Sequence, residues 1–167
     1  MIGWEKDKIW SDRFLPEIKG IVGRTLISEP PIEDDQQRNT DLIVLKLDAV
    51  RVACRIRKNE YLSRYGNEFT IRAGRPSGIK TELTKVIEGW GDYFFYGFSD
   101  TYEKSLAKWF MGDLKKFRIW YMRQLKKNHG VPPGKKLQNR DGSSFFFAFN
   151  ADLIPDFCVA YSEGNLR

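Results

Sequence analysis

Asp41-Leu-Ile-Val-Leu-Lys-Leu-Asp-Ala-Val-Arg-Val-Ala-Cys-Arg-Ile-Arg-Lys58 holds two short β-branched runs on either side of a turn at Asp48-Ala49. Runs of this length and composition read as the two strands of a β-hairpin. Successive side chains on a strand point to opposite faces, so Val50, Val52, Cys54 and Ile56 share one face and Arg51, Ala53, Arg55 and Arg57 the other. The first face is expected to meet a core.

Outward from this stretch, Glu68-Phe-Thr-Ile-Arg72 reads as a third strand of the same sheet, with Phe69 and Ile71 facing oppositely to Glu68, Thr70 and Arg72. Upstream, Ser11 to Leu26 reads as a helix with Asp12 as N-cap, Pro16 tolerated in the first turn, and an apolar stripe of Phe14, Ile18, Ile21 and Val22. Ser28 to Asn39, with Pro30-Pro31 and Glu33-Asp34-Asp35, reads as a loop. Downstream, the breaker Gly74 to Gly78 precedes a helix capped by Thr81 and running to Glu88, then a strand from Asp92 to Phe98. The order α-βββ-α-β predicts an α/β (α+β) fold with a central mixed sheet flanked by helices.

Asp100-Thr-Tyr-Glu103 has the spacing of a capping box, which predicts a long amphipathic helix over 100–128. Leu106, Trp109, Phe110, Leu114, Phe117, Tyr121 and Leu125 would form its apolar side, and Lys104, Lys108, Lys115, Arg118 and Lys126 its basic side. Between Lys104 and Lys136 there are ten Lys/Arg against one acid, Asp113, while the rest of the chain holds 18 bases and 21 acids. The basic surplus is therefore local, as expected of a face that meets the nucleic-acid backbone or another polyanion. A solvated helix face has the same composition. Residues 129–167 read as an extension in which Phe145 to Phe149 forms a last strand.

With 167 residues, 41% hydrophobic and 14% aromatic, the chain reads as one domain, long enough to bury roughly 70% of its unfolded surface. No apolar run approaches a membrane span and the first ten residues are charged, so a cytoplasmic location is expected. Cys54 and Cys158 show no metal or disulfide spacing and are expected to be two buried free thiols. The single histidine, His129, excludes Ser-His-Asp triads and multi-His zinc sites, and its place after Lys126-Lys127-Asn128 suits a helix end. Gly130 to Lys135 lacks the spacing of a P-loop, and Gly89-Trp-Gly91 lacks the third glycine of a dinucleotide site.

The arginine face of the hairpin reads either as a solvated surface with cross-strand ion pairs or as an anion site. The helix carrying Glu17, the strand Asp41-Leu-Ile-Val-Leu and the strand ending Arg55-Ile56-Arg57-Lys58 resemble the core of the PD-(D/E)XK nucleases, over about residues 12–98. The stretch Glu68 to Phe98 also resembles uncharacterised phage and prophage proteins. The resemblance implies that Asp41 matches the metal-binding aspartate and Glu17 the helix glutamate of some members. Arg55 stands where the second metal-binding acid belongs, and Arg57 where the catalytic lysine belongs. Glu68, facing the same way on the neighbouring strand, is the candidate for the missing ligand, so Asp41 and Glu68 would hold Mg²⁺. An arginine in place of a carboxylate is expected to lower Mg²⁺ affinity. The expectation is a phage- or prophage-type protein that binds or processes nucleic acid, with Arg55 and the helix bases as contacts, and a metal-dependent endonuclease if it is an enzyme. The other expectation is a non-enzymatic accessory protein that binds an acidic host or defence protein.

Overall fold

The protein is seen in a computed structural model that describes residues 3–28, 43–44, 50–75, 78–139 and 141–162. Its elements are α1 (Gly3–Asp12), α2 (Leu15–Leu26), β1 (Ile27–Ser28), β2 (Ile43–Val44), β3 (Val52–Arg57), α3 (Leu62–Tyr65), β4 (Glu68–Gly74), α4 (Glu82–Ile87), β5 (Tyr93–Ser99), β6 (Leu106–Asp113), α5 (Leu114–Lys127), β7 (Lys135–Gln138), β8 (Phe145–Asn150) and β9 (Cys158–Tyr161). They form a mixed α/β fold. No helix among the described residues is long and apolar enough to cross a membrane.

The centre is β5, whose sequence Tyr-Phe-Phe-Tyr-Gly-Phe-Ser is buried at six of seven positions. A strand apolar on both faces belongs inside a sheet covered on both sides. β5 pairs in parallel with β3 and antiparallel with β6, and β9 adds antiparallel to β6, giving a four-stranded mixed sheet in the order β3-β5-β6-β9. Parity divides its side chains between two cores. Phe95 and Met111 join Phe14, Ile18 and Ile21 of the helical segment and Ile56 on one face. Phe94, Tyr96, Phe98 and Phe110 join Phe69, Ile71, Phe117, Phe149 and Phe157 on the other. Phe69 sits among six aromatic rings with centroids 5.0–6.4 Å away. Gly112 permits this crowding, because a Cβ there would lie 2.2 Å from the Phe157 ring.

The three middle strands do not share one sheet. β4 pairs with β8, and β8 with β7, in a separate antiparallel sheet that closes the aromatic core. The alternation Phe69, Ile71 specified a buried face but not the neighbour, and Phe147 and Phe149 of β8 offer a better partner than the arginine-bearing β3. Of the proposed first strand, Ile43–Val44 pairs with Ile27–Ser28, while Asp41 lies outside the described residues.

The helix expected over 100–128 is half strand. Asp100 does not open a helix: its carboxylate accepts the Lys104 N–H at 2.8 Å and the Ser105 hydroxyl at 2.9 Å, closing the turn between β5 and β6. In β6, Trp109 and Met111 enter the helix-side core while Phe110 enters the aromatic one, so a run buried on both faces had the look of a helical stripe. The helix starts at Asp113, whose side chain accepts from the N–H groups of Lys115 at 2.7 Å and Lys116 at 3.2 Å. It ends as the sequence suggested, with His129 in the left-handed conformation (φ 52°) and Gly130 N–H bonded to Leu125 O at 2.8 Å. The first helix is likewise two. Ser11 and Asp12 close α1, and Asp12 pairs with Lys8 instead of capping α2. Both thiols are free, but Cys54 is exposed. Burial pushes the Cys158 thiol up to about 11, with Asp152 adding to the shift and Lys108 opposing it.

Candidate anion site

Strand parity sends Arg55 to the same side of β3 as Ala53, toward β4 rather than toward α2. Across that gap its guanidinium donates to Thr70 O at 2.6 Å, to Thr70 Oγ1 at 3.2 Å and to Glu82 Oε2 at 2.6 Å. The same Glu82 oxygen accepts the backbone N–H of Arg72 at 3.1 Å. One carboxylate thus ties β3 to β4 through the first residue of α4.

The Arg72 side chain is treated differently. Among the described residues its guanidinium has no hydrogen bond or ion pair. Burial, then the charges of Arg75 and Arg55, hold its pKa below the ordinary arginine value, while Glu82 pulls the other way. Arg55 and Arg72 form a wall between two clefts. The larger, about 980 Å³, also takes in Lys6, Arg57, Lys58 and Tyr61. The smaller, about 510 Å³, is lined by Arg51, Arg55, Arg72, Arg75, Lys80 and Lys85 against the carboxylate of Glu82, with Trp90 and Leu114 at its side. Lys80 is paired with Glu88 at 2.7 and 2.9 Å. Half-buried guanidinium groups of like charge raise the energy of the empty site, and an anion relieves it.

The expected site residues are divided: Arg57 and Glu68 line one hollow of about 400 Å³, Arg57 also lines the larger cleft with Arg55, and Glu17 joins neither. Glu17 lies on the α2 side of the four-stranded sheet and accepts the Leu106 N–H at 3.0 Å. Glu68 opens β4 on the other side, beside a hollow of about 510 Å³ that it shares with Lys108. Arg57 stacks its guanidinium carbon 4.5 Å from the Tyr61 ring centroid. No group of three or more His, Cys, Asp or Glu side chains that could hold a metal ion occurs among the described residues. Glu17 and Glu68 thus lie on opposite sides of the four-stranded sheet, and Asp41, the ligand expected to join Glu68 on Mg²⁺, lies outside the described residues.

The five bases assigned to one helix face also separate. Lys104 is exposed in the turn before β6, and Lys115 and Lys126 are exposed on α5. Lys108 is on β6, only 5% exposed, and donates to Asn67 Oδ1 at 2.6 Å. Burial lowers its pKa, with Asp152 and Cys158 pulling upward. Arg118 is half-buried, and its guanidinium donates to Val86 O at 3.3 Å and Gly91 O at 3.2 Å. It is a clamp between α5 and the α4–β5 turn rather than a surface charge.

The sequence placed Arg51, Arg55 and Arg72 on one arginine-bearing face that could hold an anion, but gave no sign of Arg75, Lys85, Glu82 and Trp90 beside it. The alternating arginines of β3 and β4 were the signal for that face; α4 supplies Glu82 only once it folds back onto β4. Compared with known protein families, with curated proteins and with solved structures, the chain matches none of them.

Proposed function

We propose that this protein binds the phosphate backbone of nucleic acid along the arginine wall of β3 and β4, the binding half of what the phage nuclease resemblance implies. The observation that carries the reading is the Arg72 side chain, half-buried beside Arg55 and Arg75, with the charge of Glu82 near it but no hydrogen bond or ion pair to its guanidinium among the described residues. A planar fork of donors held in this way is suited to two phosphate oxygens at once. The α5 helix adds a second basic surface beside it, with five exposed Lys/Arg and no acid, and Leu114 at its start lines the smaller cleft. Cleavage is not part of the proposal, because Asp41, which the resemblance makes the first metal ligand, lies outside the described residues.

A fluorescence-anisotropy titration of labelled DNA over a salt series tests it. Several phosphate contacts give a logarithmic salt slope of several units, about 0.7 to 0.9 per contact. Absence of DNA binding at low salt would refute the reading. A second reading has its own observation: Ile119 and Met122 are exposed between Lys115 and Lys126 on α5. That mixed apolar and basic face suits an acidic, amphipathic protein segment. Binding of an acidic partner without any DNA binding would favour it.

A further inference from the structure

We infer that the smaller cleft takes single-stranded nucleic acid, with Trp90 as the platform on which a base stacks; this rests on the phosphate-binding reading above. Trp90 is 61% exposed, in a molecule whose other large aromatics are mostly committed to the two cores. Its backbone, by contrast, is fixed. Gly89 N–H bonds to Val86 O at 3.1 Å and Trp90 N–H to Lys85 O at 3.0 Å, the pair of bonds that closes a helix with a left-handed residue at Gly89 (φ 100°). In such closures the residue after the glycine usually packs back on its helix. Here the side chain stays largely exposed, at the edge of the cleft.

Arg118 locks the same turn from the other side through Val86 O and Gly91 O. The result is an aromatic plate on a rigid mount beside a cleft lined by Arg51, Arg72, Arg75 and Lys85. An aromatic face next to a basic track is the arrangement that holds unpaired strands, because every base has a π-face and the backbone supplies the charge. In a duplex those faces are already stacked and paired, so the platform has nothing to meet. Ile79, also 61% exposed in the same cleft, extends the apolar surface.

The test compares binding of a fluorescein-labelled oligothymidylate with that of a labelled duplex of equal length, for wild type, Trp90→Ala, Trp90→Phe and Arg72→Gln. Circular dichroism and a thermal melt establish that each variant is folded. Trp90→Ala is expected to weaken oligothymidylate binding about 5- to 100-fold and leave duplex binding within about twofold. Trp90→Phe, which keeps a stacking ring, is expected to retain most of the affinity. Unchanged oligothymidylate binding by Trp90→Ala, alongside a loss in Arg72→Gln, would overturn the single-strand inference and leave the phosphate reading standing. Equal loss for strand and duplex, or equal loss in the alanine and phenylalanine variants, would overturn stacking as the cause. Failure of wild type to bind either probe at low salt would overturn both.

Discussion

The arginines of β3 and β4 and the lysines of α5 carry charge of the same sign, and they differ in what surrounds it. On α5, Lys115 and Lys126 extend from an exposed helix face into water. Their charges are screened, and no fixed geometry is imposed on a ligand. On the strands, Arg55 is held by Thr70 and Glu82, and Arg72 is brought beside it by the same carboxylate through its backbone. Water is partly excluded there, so each charge acts more strongly and at a set position. Charge density along a sequence locates the first kind of surface. It does not locate the second.

The largest expected effect that separates the two regions is at Arg72. Arg72→Gln should lower DNA affinity about 10- to 100-fold, since a charged hydrogen bond to phosphate is worth about 1.5–3 kcal/mol. Its melting temperature should stay level or rise, because a guanidinium crowded by Arg55 and Arg75 is removed. A large fall in melting temperature with DNA binding intact would mean the side chain serves the fold.

Glu82→Gln should do the reverse. It takes the counter-charge from Arg55 and weakens the acceptor for Arg72 N–H, and should cost about 1–2 kcal/mol in urea unfolding, a figure reduced for the pair's partial exposure. DNA affinity should rise as a competing carboxylate disappears. Arg118→Ala, which takes the side-chain donor from the Gly91 carbonyl and leaves Val86 O with only the Gly89 N–H, should also cost about 1 kcal/mol. Its DNA salt slope should not change, because its guanidinium is spent on two backbone carbonyls; a slope reduced by a full contact would return it to the binding face.

The smallest effects belong to the lysines. Lys115→Ala and Lys126→Ala should each weaken binding only a few-fold, uniformly across DNA sequences, and lower the logarithmic salt slope by about 0.7 to 0.9. Lys108→Met is the control from the same basic stretch: buried on β6 and spent on Asn67, it should leave both affinity and slope unchanged. A slope lowered equally by all three would erase the distinction between buried and solvated charge.

The chain by itself determined a mixed α/β fold, because its short β-branched and aromatic runs alternate with helix-period stripes such as Phe14, Ile18 and Ile21. It determined the helix end at His129 and the side of β3 that carries Arg55, since caps and strand parity are local properties fixed by neighbours in sequence. Only the tertiary structure decided which strands pair, because Phe69 and Ile71 meet β8 through a surface shared with a segment some eighty residues away. It also decided that Leu106 to Asp113 is a strand. A run with apolar groups on both faces satisfies either period, and two separate cores had to exist before both faces of a strand could be buried. The site is of the same kind. Arg55, Arg72 and Glu82 come from three elements, and their distances are set by the packing of two sheets and α4, which no local pattern encodes.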